Sequence, residues 1–403
     1  MTPFVAAPRA RAARGAVSVL FIANGALSAS ILPRLPAIKD GLGLSNAELG
    51  AAVAAMPVGG LIAGGLAGIL IARFGSGRVA TTAGTAACLL IIAVGLAPSW
   101  AALAGAYLVL GMFDATMDAA MNTHGVGVQR VYGRSILQGF HGAWSAGGMA
   151  AGAVGAIAAA AGIPVAVHLT VVGVALAAAV LATARGLLPA PIADAHEQGT
   201  SDAPAEAIHA RNAGRLLRVL VPVAMLGILC VVVQTAGATW GAVFANDVLG
   251  LSAGIAASVF VVYSASMTLG RLTNDRWVDR LGTTSLVRIG ALVAAAGLVA
   301  VMASAALAVP LLAFAGFALV GAGTSPMFPV MVAAAGSRPG IPSGYGVSLV
   351  SWMVRIGLVF APAIVGVAAD RVGLAAAMAI PLATALLIAA VAPSLTGSRR
   401  RGR

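Results

Sequence analysis

Three polar residues recur at four-residue intervals inside one apolar stretch, at Asp114, Asp118 and Asn122. In an α-helix this spacing places them on one face. An ionisable group inside a membrane span costs about 2.5–3.5 kcal/mol on insertion scales, so it is expected to face a cavity and to act there. A carboxyl that exchanges a proton in such a cavity can couple the movement of a solute to that of protons. We therefore assign proton coupling to Asp118 and Asp114; the alternative is that they only pair or pack between helices.

A histidine and a glutamine follow in the next apolar stretch, at His141 and Gln138. Free imidazole titrates in the physiological range, so His141 is a candidate proton relay to the two acids. A hydrogen bond from His141 to a neighbouring helix is an equally good explanation. His124, at the end of the previous stretch, is expected at the membrane interface.

One arginine, Arg355, also lies within an apolar stretch. A guanidinium stays charged and needs an anion at that depth. Amides and an indole in other stretches can hydrogen-bond a solute or merely join helices. Trp240 is expected in the interfacial aromatic belt. The candidate solute-binding residues are Asn24, Asn122, Gln138, Gln234, Arg355 and Trp352.

The composition of the 403-residue chain indicates the elements that hold these side chains. Hydrophobic residues make up 60% and charged residues 9%, against about 45–50% and 25% in soluble domains. That composition excludes a soluble enzyme. The net charge is +12, but the basic residues lie between apolar stretches, as they do in cytoplasmic membrane loops, which argues against nucleic acid binding. Spans of about 20 residues are predicted at 16–36, 48–72, 79–97, 101–124, 138–162, 164–185, 217–244, 252–274, 284–304, 308–333, 343–369 and 373–395.

The placement of basic residues predicts the orientation of the twelve spans. With a cytoplasmic N-terminus, 20 of the 24 basic residues fall inside and Arg34, Lys39 and Arg371 fall outside. Cytoplasmic loops carry the excess of Arg and Lys, so both termini are predicted to be cytoplasmic. The first span is expected to be retained rather than cleaved as a signal peptide.

The chain is predicted to consist of two similar halves. Residues 187–216 form a polar linker between six-helix bundles at 1–186 and 217–403. The sequence from Leu42 to Ser45 recurs at Leu249 to Ser252, an offset of 207. Arg73-Phe-Gly-Ser likewise recurs as Arg280-Leu-Gly-Thr at the same offset. Two matches at one offset indicate an internal repeat. Repeats of one orientation are typical of transporters whose halves rock about a central site.

Two loops carry a resemblance to the major facilitator superfamily. Its loop motif, Gly-x-x-x-Asp-Arg-x-Gly followed by basic residues, resembles the segment from Gly68 to Arg78, in which Ala72 replaces the acid. The second copy keeps the acid at Asp279. The resemblance implies the fold of two six-helix bundles related by pseudo-two-fold symmetry and, at the cytoplasmic side, loops that gate conformational change. The gating residues implied are Arg73, Gly75, Arg78, Arg271, Asp279, Arg280 and Gly282.

The spacing of Asp118 and Asn122 is similar to that in uncharacterised bacterial members and, more distantly, in the proton-coupled fucose permease branch. That branch uses the helix-4 acid in proton coupling, which implies the same role for Asp118. In the superfamily helices 1, 4, 7 and 10 line the cavity, which implies that Asn24 and Gln234 face the solute. The second acid of the branch is missing, since Ser28 to Ser30 hold no carboxylate.

We therefore predict a proton-coupled secondary transporter of a small solute in the plasma (inner) membrane, acting as a monomer in the lipid bilayer. Three alternatives stay open: a proton-coupled exporter, an uncoupled facilitator, and a membrane sensor that no longer transports. No nucleotide-binding glycine loop, nucleophile–base pair or metal-ligand spacing occurs in the sequence. We accordingly expect no enzymatic activity, no cofactor, no metal and no nucleic acid partner.

Overall fold

The computed structural model describes residues 7–194, 225–336 and 343–395, and regular structure in these ranges is helical without any strand. The all-helical fold class is thus confirmed. The helices up to residue 194 are α1 (Ala7–Ile31), α2 (Leu35–Leu42), α3 (Asn46–Phe74), α4 (Ser76–Gly95), α5 (Trp100–Tyr132), α6 (Leu137–Ala160), α7 (Val165–Thr183) and α8 (Ala190–Ala193). Those after residue 224 are α9 (Met225–Ala238), α10 (Gly241–Asp247), α11 (Ala253–Leu281), α12 (Thr283–Leu307), α13 (Pro310–Thr324), α14 (Met327–Gly336), α15 (Ser343–Val372), α16 (Leu374–Ala377) and α17 (Ala379–Leu395).

The described helices supply eleven or twelve membrane spans. Eleven segments are long and apolar enough to cross a bilayer, and α9 with α10 forms a twelfth if they count as one span bent by 42°. At this bend the Trp240 amide donates to the Thr235 carbonyl, one residue further back than in a regular α-helix. Trp240 itself is fully buried, and its expected depth at the membrane interface stays a prediction. The predicted twelve spans agree with this count.

Proline breaks the span that begins at α13. The helix ends at Thr324 and α14 begins at Met327. Pro326 lies in the gap and has no N–H to continue the ladder of hydrogen bonds. The span therefore consists of two shorter helices joined at the proline.

α5 carries the acids and is the longest described helix, with 33 residues. The Ser99 hydroxyl caps its start by accepting from the Ala102 amide at 3.3 Å, and Gly133, with φ 69°, ends it. At 1.5 Å per residue the helix measures about 50 Å, well beyond a hydrocarbon layer of about 30 Å. Asp114 and Asp118 therefore lie in its middle third, and Asn122 directly follows it.

The backbone repeats the sequence offset of 207. Gly75 (φ 85°) directly precedes α4, and Gly282 (φ 74°) directly precedes α12. Gly43 (φ 61°) and Gly250 (φ 64°) form a second pair at the same offset. Residues with a side chain rarely adopt these angles, so both copies keep glycine where the loop turns. The internal repeat is thus visible in the backbone as well as in the sequence.

The chain divides into two compact units. The first contains residues 1–38 and 55–207, and the second contains 39–54 and 208–403. In the first unit α1 packs against α6, and α4 packs against α5 and α7. In the second, α13 packs against α11 and α12, and α12 packs against α17. The predicted division at 1–186, 187–216 and 217–403 stays a prediction, and residues 195–216 of that linker lie outside the described residues.

Candidate functional site

An asparagine on α1 joins an acid on α5 to an indole on α6. Asn24 is 8% exposed. Its amide nitrogen donates to Oδ1 of Asp114 at 2.8 Å, and its amide oxygen accepts from the indole N–H of Trp144 at 2.9 Å. Both polar ends of the Asn24 side chain are thereby used. One amide fixes the positions of a carboxylate and an aromatic ring from two other helices.

Two glycines bring α1 close enough to α6 for this contact. A Cβ on Gly25 would overlap the carbonyl oxygen of Trp144, and a Cβ on Gly147 would overlap that of Ile22. Small residues at a helix crossing let the two backbones approach. The polar side chains next to the crossing therefore meet directly.

The remaining polar face of α5 is half-buried and internally paired. Asn122 donates its amide N–H groups to Oδ1 of Asp118 at 3.1 Å and to the Asp118 carbonyl at 2.8 Å. Asp114, Asp118 and Asn122 all have intermediate exposure. The structure thus confirms that they share one face. It brings Asp114 together with Asn24 and Asp118 together with Asn122.

An aromatic layer lies one helical turn from the Asn24 cluster. Phe21 stacks on Phe140 with ring centroids 5.4 Å apart and meets the His141 ring edge-on at 5.3 Å. Phe21 precedes Asn24 by three residues, and His141 precedes Trp144 by three, so each pair lies on one helix face. His141 is exposed. Its role as a proton relay stays a prediction.

The candidate residues of the second unit lie on α9 and α15. The Gln234 side-chain amide donates to the Cys230 sulfur at 3.4 Å. Arg355 is half-buried on α15, and Trp352, one turn earlier, is 53% exposed. Their contact with a solute stays a prediction, as it does for Gln138, which is exposed on α6.

The two candidate gating loops share a backbone turn and a stacked arginine. Arg73 lies over the ring of Phe74, and Arg280 lies over the ring of Trp277, at 5.4 and 5.9 Å from the ring centroids. Arg271 lies within α11, and its Nε has no hydrogen-bond partner among the described residues. Their role in gating stays a prediction, and the remaining candidates at these loops are Gly75, Arg78, Asp279 and Gly282.

The family model described as the Major Facilitator Superfamily matches residues 17–340. The chain belongs to the Major Facilitator Superfamily. An uncharacterised MFS-type transporter of Yersinia pestis is 30% identical over 381 residues, covering 93% of this chain and 94% of the relative. It follows that this is a multi-pass membrane protein, and that its relatives are transporters, which are not enzymes.

Two solved structures share this superfamily fold. The nucleoside transporter NupG matches with a TM-score of 0.76 at 13% identity, covering 95% of this chain and 98% of that one. A D-xylose–proton symporter matches with a TM-score of 0.78 at 15% identity, covering 97% and 98%. The structural similarity establishes the fold, whereas sequence identities this low do not identify the solute.

In this superfamily member, the carboxylate of Asp194, which follows α7, binds the loop between α3 and α4, where Ala72 replaces the acid of the motif. The Ser76 amide and hydroxyl, at the start of α4, donate to the two oxygens of Asp194 at 3.1 and 2.5 Å. The Arg130 guanidinium donates to the Ala193 carbonyl at 2.8 Å and fixes the same segment. Sequence reasoning missed Asp194 because it treated the acid as part of a solvated linker.

His124 belongs to this cluster and is fully buried; its expected depth at the membrane interface stays a prediction. Its Nε2 accepts from the Leu188 amide at 3.2 Å, and its Nδ1 lies 2.8 Å from the Ser76 hydroxyl. Because Nε2 accepts, the pattern assigns the ring hydrogen to Nδ1, which donates to Ser76. Both nitrogens of the buried ring thus have a partner within the protein.

Across residues 7–194, 225–336 and 343–395, no three His, Cys, Asp or Glu side chains cluster as metal ligands would.

Proposed function

We propose that the protein is a secondary active transporter that moves a small polar solute together with protons by alternating access. The observation that carries this proposal is the Asn24 amide, which holds the Asp114 carboxylate and the Trp144 indole in one place. A carboxylate accepts hydrogen bonds from hydroxyl or amine groups, and an indole covers an apolar face of the same molecule. Trp144 is 38% exposed, so part of its ring is open to a ligand.

The proposed energy source is the proton-motive force, acting through the α5 acids with Asp118 as the coupling group. Moving one charge across a membrane yields about 2.3 kcal/mol per 100 mV. One proton at about 150 mV thus supports a gradient of a few hundredfold. Asn122 orients Asp118, and His141 is the proposed relay. The spacing of Asp118 and Asn122 also supports a relationship between this protein and the fucose permease branch of the superfamily.

The class of solute follows from the same site. The two proteins of similar fold are a nucleoside transporter and a D-xylose–proton symporter. Nucleosides and sugars both carry several hydroxyl groups, which suit the Asp114 carboxylate. We propose a small hydroxylated or amine-bearing metabolite, bound also by Asn24, Gln138, Gln234, Arg355 and Trp352.

A thermal-shift screen of such metabolites on the purified protein tests this site. A ligand at about 100 times its Kd stabilises the native state by about 2.7 kcal/mol. We expect a metabolite that raises the melting temperature of the parent but not that of Asn24→Leu, because leucine leaves Asp114 and Trp144 without their shared partner. Ser18→Ala on the same helix, whose hydroxyl only bonds the Arg14 carbonyl, should keep the shift. An equal shift in Asn24→Leu would contradict the site. A library without any hit would favour the non-transporting sensor.

The proposed topology has both termini and the linker on the cytoplasmic side of the inner membrane. The excess of basic residues on one side motivates it. Reporter fusions at residue 200 and at the C-terminus should give cytoplasmic signals. A periplasmic signal at either site would reverse the proposed orientation.

A further inference from the structure

The boundary between the two units runs through the helix α3. Residues 39–54, the end of α2 and the start of α3, belong to the unit that contains residues 208–403, whereas residue 55 onward belongs to the other. We call residues 39–54 the gate segment. Its contacts within its own unit show what holds it there.

A carboxylate from α15 caps the gate segment. The two oxygens of Asp370 accept from the backbone amides of Asn46 and Ala47 at 2.9 and 2.8 Å. These are the first amides of α3, which have no partner inside their own helix. The positive end of the α3 dipole favours the negative charge.

Asp370 stands at an unfavourable position in its own helix. It is two residues from the end of α15 at Val372, where the helix dipole disfavours an acid. The cost to α15 is offset by the contact with α3. This geometry argues that the acid serves the gate segment rather than its own helix.

Two glycines let the gate segment and α15 touch backbone to backbone. A Cβ on Gly366 would overlap the carbonyl oxygen of Asn46, and a Cβ on Gly50 would overlap that of Pro362. An ion pair between Lys39 and Asp247 forms a second polar contact, with α10.

A proline weakens α3 just after the unit boundary. Pro57 lies inside α3, and its missing N–H leaves the carbonyl four residues earlier, on Val53, without its helical partner. α3 is therefore easiest to bend between the gate segment and the rest of the helix.

We propose that the gate segment is a separate moving part of the transporter, held by Asp370 and released by bending at Pro57, and that its release opens the membrane face opposite the loop between α3 and α4. Asp370 is a positioning residue that sets how often this face opens. The inference rests on the alternating access of the proposed function and assigns the residue that controls one of its openings, whereas its test needs neither the solute nor a proton gradient.

Thiol labelling of a reporter cysteine at Ser28 tests the proposal without a substrate. Ser28 is half-buried on α1, and its hydroxyl contacts the sulfur of Met56, next to Pro57, at 3.7 Å. A membrane-impermeant maleimide is applied to intact cells and, in parallel, to inside-out vesicles. Each arm exposes one membrane face to the maleimide. A change that appears in the arm not expected from the topology contradicts the topology, whereas no change in either arm contradicts the gate.

In the Ser28→Cys background, Asp370→Asn should raise the labelling rate about tenfold, the change in an opening equilibrium that about 1.4 kcal/mol produces. Asp40→Asn, which removes the same charge from an exposed position on α2, should leave the rate unchanged. Gly50→Ala should raise it by a different route, by separating α3 from α15.

The native cysteines distinguish gating from unfolding. Cys88 and Cys230 are both buried and should stay unlabelled in every variant. The proposal is overturned if the labelling rate of Ser28→Cys is unchanged by both Asp370→Asn and Gly50→Ala, in intact cells as well as in inside-out vesicles. A rise that includes Cys88 or Cys230 also overturns it, because Asp370 would then only stabilise the fold.

Discussion

Asp118→Asn should abolish uphill transport and leave exchange of solute across the membrane intact. The amide has the shape of the protonated acid but cannot release a proton, so each cycle would carry solute without charge from this group. With the metabolite found by thermal shift, accumulation in proteoliposomes under an imposed proton gradient should fall from up to a few hundredfold to about equal concentrations. Counterflow exchange, which needs no driving force, should stay within a few fold of the parent.

The structure offers a matched comparison at the neighbouring acid. In Asp114→Asn the new amide oxygen can still accept from Asn24, which donates to Oδ1 in the parent. Asp114→Asn should thus retain the Asn24 contact and uphill transport, with weaker binding of the solute that its carboxylate is proposed to contact, whereas Asp118→Asn should lose uphill transport. Uphill transport by Asp118→Asn but not by Asp114→Asn would transfer the coupling role to Asp114. Uphill transport by both would replace the proton-coupled proposal with a pathway driven by another gradient, and its absence from the parent would favour the uncoupled facilitator.

Gly111→Ala should cause the largest loss of stability among single-methyl changes on α5. A Cβ at this position would overlap the carbonyl oxygen of Met56 on α3. The neighbouring atoms are backbone, so the helices must separate, at a cost of about 1–3 kcal/mol or more. The melting temperature in detergent should drop by several degrees. Binding of solute should weaken as well, because Asp114 lies one turn further along the same helix.

Gly105→Ala is the control for this change. It lies on the same helix, and nothing stands within 4 Å of its Cβ position. Alanine exceeds glycine in helix propensity by about 1 kcal/mol, so this variant should melt at the same temperature as the parent or higher. Equal melting of the two variants would show that α3 and α5 are not in contact at Gly111.

The sequence alone predicted the membrane-spanning helices and one face of the candidate site. Apolar length defines a span because the bilayer fixes its thickness, and four-residue spacing places Asp114, Asp118 and Asn122 together. Neither rule says which neighbouring helix meets that face. The partnership of Asn24 with Asp114 and Trp144 depends on where α1 crosses α6, which is a tertiary property.

The burial of two other side chains was beyond the sequence for the same reason. His124 and Trp240 were expected at the interface because they lie near the ends of apolar stretches. His124 accepts from the Leu188 amide, and Trp240 is buried at a helix bend. Asp370 caps a helix more than 300 residues earlier in the chain, and no local pattern indicates such a contact. Hydropathy gives the depth of a residue but not the neighbours that cover it.

The matched glycines of the two loops show which positions of the repeat tolerate change. Gly75 and Gly282 both have a positive φ at the same offset, so a residue with a side chain would be strained at either position. Side chains beside them are under no such common restriction: the first loop has Ala72 and is bound by Asp194, whereas the second has Asp279. The backbone turn is thus common to the two loops, whereas the carboxylate near it comes from the loop motif in one copy and from a distant segment in the other.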